Sequence, residues 1–93
     1  MTHIEIYTKG WCPFCHQAKA LLRSEDLSFE EIDVTIDTEH EREMVLRSGR
    51  RSVPQVFIGT RHVGGFDDLS ALHDNGELYR IIETEQRELE NVT

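Results

Sequence analysis

The sequence is poor in cysteine, proline and tryptophan, and it has no long apolar run. Its 93 residues include two cysteines, two prolines and one tryptophan. No stretch approaches the roughly 20 apolar residues that a membrane-spanning helix needs, which argues against a membrane protein. The first ten residues, MTHIEIYTKG, lack the basic and apolar regions of an export signal. We therefore expect a cytoplasmic protein, in a compartment where thiols stay reduced, without a permanent disulfide.

The chain is also too short for more than one hydrophobic core. With 38% hydrophobic and 30% charged residues, the composition is that of a globular protein and not of a disordered chain. We expect residues 1–93 to form one domain, in which the residues after about 83 make a polar helical tail whose end is solvated or frayed.

Acidic residues are missing from two segments of an otherwise acidic chain. The formal net charge is −8, yet residues 6–24 and 44–66 contain no Asp or Glu. Together the two segments carry seven basic residues: Lys9, Lys19, Arg23, Arg47, Arg50, Arg51 and Arg61. This distribution indicates a locally positive site for a thiolate and an anionic ligand, with chance clustering as the alternative. The acidic total argues against general nucleic-acid binding.

The apolar periodicity predicts an α/β protein with the element order βαβαββαα. Strands are predicted at residues 3–8, 28–34, 55–58 and from Arg61 onward. Helices are predicted from Pro13 to about residue 24, from a capping box at Thr38 and Glu41, from Asp67 to about residue 74, and over about 77–90. A β-α-β start followed by a hairpin predicts a four-stranded mixed sheet with helices on both faces.

Both cysteines lie in one motif, GWCPFCH, at residues 10–16. The C-x-x-C spacing fits a reactive dithiol, half of a zinc site or, with His16, a covalent haem attachment. A zinc site would need a second cysteine pair or suitably spaced histidines, and the chain has neither, so we expect no metal. Haem attachment would need export and a haem pocket. A redox-active dithiol is therefore the favoured interpretation.

The two cysteines are not equivalent in the predicted structure. Pro13 suits the first position of a helix with Cys12 as its cap, so the free N–H groups of Phe14 and Cys15 favour a thiolate at Cys12. Cys15 lies one turn into the helix, where its sulfur is less exposed. We therefore predict that Cys12 attacks and that Cys15 resolves the resulting mixed disulfide. Trp11 is expected to form a wall of this site.

Two further motifs favour a ligand site. In SVPQVFI the residue before Pro54 is pushed into an extended conformation, so Val53 can pair with an extended peptide, although a merely structural proline is the alternative. In GGFDD, residues 64–68, the glycines allow close approach of a ligand and the following helix offers N–H groups to a carboxylate. Asp67 and Asp68 can also be simple helix caps.

Taken together, these motifs resemble the dithiol glutaredoxins, and the similarity is to the bacterial glutaredoxin 3 kind. It covers roughly residues 4–79 and is carried by the stretches IEIYTKG, CPFCHQAKALL, RSGRRSVPQVFIG and HVGGFDDLSALHDNGEL. The resemblance implies a thioredoxin fold, a cis proline at Pro54 and glutathione as the electron donor. It implies a monomeric thiol–disulfide oxidoreductase that reduces protein–glutathione mixed disulfides and protein disulfides through Cys12 and Cys15.

The resemblance also implies a glutathione-binding set: Lys9, Phe14, Ser52, Val53, Pro54, Gly65, Asp67 and Asp68. Lys9 would meet the glycyl carboxylate, and Val53 would pair with the cysteinyl backbone. The N–H groups of Asp67 and Asp68 would hold the γ-glutamyl carboxylate. Arg42 and Arg51 are candidates for a second cation on the glycyl carboxylate.

Three positions depart from the usual family pattern. Phe14 replaces a tyrosine, Ser52 replaces a threonine, and Phe66 stands where relatives often carry a cysteine or another small residue. Phe66 is expected to cover the γ-glutamyl site or to change ligand affinity.

Two other functions remain open at this point. Trp11 is similar to the WC of thioredoxins, so an electron donor reduced by thioredoxin reductase is one alternative. A carrier of a glutathione-ligated iron–sulfur cluster is the other, and the presence of both Pro13 and Cys15 disfavours it.

Overall fold

The computed structural model describes residues 3–91, apart from the side chains of Leu89 and Asn91. Over that range the elements follow the predicted order βαβαββαα. The strands are β1 (Ile4–Thr8), β2 (Glu30–Asp33), β3 (Gln55–Ile58) and β4 (Arg61–Gly64). The helices are α1 (Pro13–Ser24), α2 (Thr38–Ser48), α3 (Phe66–Asp74) and α4 (Leu78–Asn91). None of these helices is long and apolar enough to cross a membrane.

The strands form one mixed sheet in the order β2-β1-β3-β4. β1 and β2 are parallel, and β3 is antiparallel to both β1 and β4. In this register Tyr7, near the end of β1, lies opposite Gln55 at the start of β3. The chain segments that follow β1 and precede β3 therefore meet at the same edge of the sheet.

Two hydrophobic clusters cover the two faces of the sheet. On one face, Ile4, Ile6, Val56 and Ile58 pack with residues of α1, α3 and α4. On the other face, Tyr7, Ile32 and Phe57 pack with Met44 of α2. The alternation along β1 and β3 sends successive side chains to opposite faces. The predicted mixed sheet with helices on both faces is confirmed.

Two helices have other caps than predicted. The cap of α2 is Asp37, whose carboxylate accepts from the N–H groups of Glu39 at 3.0 Å and His40 at 3.1 Å. The prediction of Thr38 as the cap was wrong, because an aspartate one residue earlier already reaches both free N–H groups. Helix α3 begins at Phe66 instead of Asp67, with Gly65 as its cap.

The last helix contacts the sheet through a buried acid, Glu85, which was not predicted from the sequence. Glu85 of α4 is 7% exposed, and its carboxylate accepts from the Thr60 N–H at 3.0 Å and the Thr60 hydroxyl at 3.2 Å. Thr60 lies in the turn between β3 and β4. Glu85 therefore holds this turn against α4, within a stretch that looks purely polar in the sequence. Residues 92 and 93 of the expected tail lie outside the described range.

Candidate active site

The cysteine motif joins the end of β1 to the first turn of α1. Cys12 is the helix cap, in an extended conformation, and Pro13 is the first helical residue. The Cys12 Sγ accepts from the N–H of Cys15 at 3.1 Å. This is one of the two N–H groups that the sequence predicted for the sulfur. A sulfur held at a helix N-terminus in this way is stabilised in its anionic form.

The two thiols have different environments. Cys15 is 1% exposed and Cys12 is 8% exposed. Burial, with the neighbouring Cys12 as the next cause, raises the pKa of Cys15 to about 12, although the Lys9 backbone and the Lys19 charge act in the opposite direction. Cys15 is therefore a protonated thiol at neutral pH. The lower exposure of Cys15 was expected from the sequence, and the roles of the two cysteines in the reaction stay a prediction.

The segment before β3 lies next to Cys12, because β3 runs antiparallel to β1. The carbonyl oxygen of Val53 is 3.8 Å from the Cys12 Sγ. The Val53–Pro54 peptide bond is cis, which confirms the expectation drawn from the resemblance. The nucleophile candidate and the candidate peptide-binding residue are thus in direct contact, although 41 positions separate them in the chain.

A groove extends from this contact along α3; we call it the Val53 groove. It contains seven of the eight predicted glutathione-binding residues, with Lys9 missing: Phe14, Ser52, Val53, Pro54, Gly65, Asp67 and Asp68. Three other side chains line it that were not in the predicted set: Arg50, Gln55 and Phe66. Whether these residues bind glutathione stays a prediction, but the structure brings most of them together at one concave surface.

Two aromatic rings form one wall of the groove. Phe14, from the first turn of α1, stacks on Phe66, from the first turn of α3, with ring centroids 6.4 Å apart and planes inclined by 27°. Phe14 keeps 55% of its surface exposed. Both residues depart from the usual family pattern, and the structure places them in contact with each other. This wall of the groove is therefore formed by two rings from different helices.

The polar end of the groove is built around Asp68. Its carboxylate accepts from the N–H of Gly65 at 3.0 Å and lies 3.5 Å from the Arg50 guanidinium. The N–H groups at the start of α3 and the Arg50 side chain make this end suitable for a ligand carboxylate. Arg50 lines the groove, and the expectation of Arg42 or Arg51 as a second cation on the glycyl carboxylate stays a prediction.

Two residues expected at the site, Lys9 and Trp11, do not line the Val53 groove. The Lys9 ammonium does not line the Val53 groove and is 3.8 Å from the carboxylate of Glu41 on α2. Trp11 is 90% exposed and does not line the groove either, so the expectation that it forms a wall was wrong. The helix start at Pro13 turns the chain immediately after Trp11, and its ring is left in solvent.

The locally positive site predicted from the two acid-free segments is largely neutralised in three dimensions. Lys19 lies 2.9 Å from Glu31, and the Arg47 guanidinium lies 2.9 Å from Glu5. The hydrogen bond from Lys19 is the main reason that the pKa of Glu31 is lowered. Acids outside the two basic segments, including Glu41 and Asp68, thus pair with four of the seven bases.

Among the described residues, one group of side chains could hold a metal ion by its composition. Ligand atoms of His3, Glu5 and Glu30 lie within 4.8 Å of one another. The group is on the sheet near the start of β1, at the opposite end from Cys12. Its members already contact one another or Arg47, so we assign no metal to it.

The comparisons with known proteins agree with this geometry. The family model described as Glutaredoxin matches residues 4–63. Glutaredoxin 3 of Escherichia coli (strain K12) is 51% identical over 78 residues, which is 84% of this chain and 94% of that protein. Glutaredoxin 1 of Rickettsia typhi is 41% identical over 92 residues, which is 97% of this chain and 88% of that protein.

Two solved structures extend the comparison to three dimensions. The solution structure of a glutaredoxin from Brucella melitensis has a TM-score of 0.79 and 49% identity, and the match covers 90% of this chain and 91% of that one. A buckwheat glutaredoxin–glutathione complex has a TM-score of 0.79 and 25% identity, and covers 91% and 80% respectively. The fold is therefore the thioredoxin fold, and the family supports a thiol–disulfide oxidoreductase role. This chain belongs to the glutaredoxin family.

Proposed function

We propose that the protein is a glutathione-dependent oxidoreductase that reduces protein–glutathione mixed disulfides and protein disulfides. The observation that carries this proposal is the position of the Cys12 sulfur. It accepts the Cys15 N–H at 3.1 Å and lies 3.8 Å from the Val53 carbonyl. A thiolate stabilised at a helix N-terminus is thus presented beside the backbone of a segment that can pair with an extended tripeptide.

In the proposed complex, glutathione lies along the Val53 groove. Its cysteinyl backbone pairs with Val53, and its γ-glutamyl carboxylate binds the N–H groups of Asp67 and Asp68. Arg50 lines the same end of the groove, where its guanidinium is 3.5 Å from the Asp68 carboxylate, and in the complex it would be shared between Asp68 and the ligand carboxylate. The wall of Phe14 and Phe66 covers the aliphatic part of the ligand, and Ser52, Pro54 and Gly65 complete the surface.

Lys9 is proposed for the glycyl carboxylate from the resemblance alone. Its present partner, Glu41, is 3.8 Å away in a partly exposed ion pair. Such pairs contribute little to stability, typically between 0 and about 1 kcal/mol. A ligand carboxylate can therefore compete with Glu41 for the ammonium group.

The proposed reaction begins when the Cys12 thiolate attacks the glutathionyl sulfur of a mixed disulfide. The Cys12–glutathione bond forms, the client–glutathione bond breaks, and the client sulfur leaves and takes up a proton. A second glutathione, as its thiolate, attacks the sulfur of the bound glutathione. Glutathione disulfide is released and the Cys12 thiolate is regenerated.

Protein disulfides follow a related route that also uses Cys15. Cys12 attacks the client disulfide and forms a mixed disulfide with one client sulfur. Cys15 then gives up its proton and attacks Cys12, which releases the reduced client and leaves a Cys12–Cys15 disulfide. Two glutathione molecules reduce that disulfide. We propose that the whole chain acts as one domain, as a monomer, in a reducing compartment such as the cytosol.

The decisive experiment measures reduction of a glutathionylated peptide by the purified protein, glutathione, NADPH and glutathione reductase. We expect turnover well above the reaction without the protein, and none for Cys12→Ser. A second assay replaces glutathione and its reductase by thioredoxin reductase. Turnover in the second assay only would refute the proposed function and favour the thioredoxin-like alternative.

A further inference from the structure

A buried glutamine connects the floor of the Val53 groove to the edge of the sheet. Gln55, the first residue of β3, is 1% exposed. Its side-chain Nε2 donates to the carbonyl oxygen of Ser52 at 3.0 Å and lies 3.2 Å from the Ser52 hydroxyl. Its Oε1 lies 2.7 Å from the Nε2 of His62 on β4. No step of the proposed reaction uses Gln55 or His62.

The orientation of the Gln55 amide follows from its partners. A backbone carbonyl can only accept, so the atom that faces Ser52 must be the amide nitrogen. The amide oxygen then faces His62, which must donate from Nε2. The remaining ring nitrogen of a neutral His62 carries no proton. Each of the three groups thereby fixes the hydrogen-bonding role of the next.

His62 is held in this form by its surroundings. Its ring packs on Phe57, with centroids 4.9 Å apart. Burial is the main cause that lowers the pKa of His62, and the charges of Arg50 and Arg47 act in the same direction against that of Asp68. The neutral ring with a proton on Nε2 is therefore the form present at neutral pH.

The Ser52 carbonyl matters because it belongs to the same peptide group as the Val53 N–H. The Ser52–Val53 peptide bond is trans. Among the described residues, the cis bond is the next one, Val53–Pro54. In a planar trans peptide the C=O and N–H bonds point in opposite directions. When Gln55 holds the Ser52 carbonyl toward the interior, the Val53 N–H must point away from Gln55, toward the open side of the groove.

We propose that Gln55 and His62 are positioning residues, which orient the Ser52–Val53 peptide so that the Val53 N–H is presented to an extended ligand. This inference rests on the proposed function, because the ligand is the glutathione moiety of the substrate. Neither side chain needs to touch glutathione or a reacting sulfur. They affect ligand binding indirectly, by fixing the orientation of the Ser52–Val53 peptide group.

The first test replaces Gln55 by methionine, which has a similar length but cannot hydrogen-bond to Ser52 or His62. A net hydrogen bond contributes about 1 kcal/mol, so we expect KM for a glutathionylated peptide to rise by about 3- to 10-fold. The rate at saturating peptide should stay within about twofold of the unaltered protein. An unchanged KM in a folded Gln55→Met protein would overturn the proposal.

A matched pair at His62 separates positioning from packing. His62→Phe keeps a ring against Phe57 but has no donor, whereas His62→Gln loses the ring and can place an amide N–H near the former Nε2. If the donor orients Gln55, His62→Phe raises KM and His62→Gln restores it toward the original value. If packing alone matters, His62→Phe is the milder change in both KM and melting temperature, and the proposal fails.

A third readout does not depend on turnover. In a Cys15→Ser background, Cys12 is converted to its glutathione mixed disulfide, and the amide signal of Val53 is followed by NMR. We expect slower hydrogen exchange of this amide on glutathionylation, and no such slowing when Gln55→Met is added. Equal slowing in both proteins would overturn the proposal. Absence of glutathione-dependent turnover in the unaltered protein would instead refute the proposed function, and the positioning role with it.

Discussion

The backbone N–H of Cys15 donates to the sulfur of Cys12 across 3.1 Å. Cys15 thus supports the Cys12 sulfur through its main chain, independently of its own thiol. Replacing the Cys15 side chain leaves this hydrogen bond in place. The two contributions of Cys15, one by its backbone and one by its thiol, can therefore be separated by mutation.

Cys15→Ser should retain reduction of a glutathionylated peptide, because that route needs only Cys12. It should lose most of its activity on a protein disulfide, since no thiol remains to resolve the intermediate. Both activities are measured with glutathione and glutathione reductase. Cys12→Ser is the matched control and should lose both. Activity of Cys12→Ser on either substrate would reverse the assignment of the two cysteines.

The stability of the protein should fall in alkaline solution in part through Cys15. Its pKa is raised from 9.0 to about 12, so between these values the unfolded chain has lost a proton that the folded chain keeps. Unfolding then becomes more favourable as the pH rises, by at most about 1.4 kcal/mol per pH unit. Below pH 9 the effect is fully absent.

The measurement is urea unfolding at pH 8, 10 and 11 for the unaltered protein and for Cys15→Ala. Tyr7, whose pKa is also raised to about 12, acts in the same direction in both proteins and cancels. The difference in the free energy of unfolding between the two proteins should shrink as the pH rises. A constant difference would contradict the raised pKa of Cys15.

The pair of Lys9 and Glu41 gives opposite predictions for its two members. If Lys9 binds the glycyl carboxylate, Lys9→Gln should raise KM for the glutathionylated peptide. Glu41→Gln removes the competing carboxylate 3.8 Å away and should lower KM, by no more than about 5-fold for an exposed pair. Steady-state kinetics at low salt measure both. If neither variant changes KM, Lys9 has no role in binding.

The stacked pair of Phe14 and Phe66 should matter for affinity. Phe66→Ala removes a ring that the proposed complex places against the ligand and leaves Phe14 without its stacking partner, so KM should rise by about 2- to 10-fold. Ile36→Ala, at an apolar residue that is 92% exposed and outside the Val53 groove, is the control and should leave KM unchanged. A lower KM for Phe66→Ala would mean that this ring obstructs the ligand.

Glu85 should contribute to stability far from the cysteines. Glu85→Ala removes the carboxylate that accepts from the Thr60 N–H at 3.0 Å and from the Thr60 hydroxyl at 3.2 Å, and a net hydrogen bond contributes about 1 kcal/mol. Urea unfolding should register that loss. Glu83, whose side chain is 68% exposed, provides the control substitution to alanine on the same helix, with little effect expected. Similar losses for both would show that helix propensity is the cause.

The sequence predicted the order of elements because apolar periodicity, a helix-starting proline and glycine turns are local signals. It also predicted most of the residues that line the groove, because they belong to three short motifs that can be recognised in the sequence. It missed the neutralising acids, since Glu31 and Glu5 reach Lys19 and Arg47 only when α1 and α2 pack on the sheet. It did not single out Arg50, because which side chain of the turn after α2 faces the groove is not specified by spacing alone.

Gln55 and His62 were missed for a different reason. A glutamine in a strand and a histidine in the next have no local signature, and neither residue type is diagnostic of a site. The signal that could have found them is the hairpin itself. Its short turn at Gly59 and Thr60 places Phe57 opposite His62, which sets Gln55 within reach of the histidine on the same face of the sheet.

The pairing of Tyr7 with Gln55 means that the position of Val53 relative to Cys12 depends on the register between β1 and β3. A slip of β3 by one residue along β1 would displace Val53 by about 3.3 Å and turn Gln55 to the opposite face. The distance between the Cys12 thiol and the ligand-binding backbone of Val53 is therefore set by the strand register, which changes only in whole-residue steps. A single added residue between Pro54 and Phe57 should abolish the site at once.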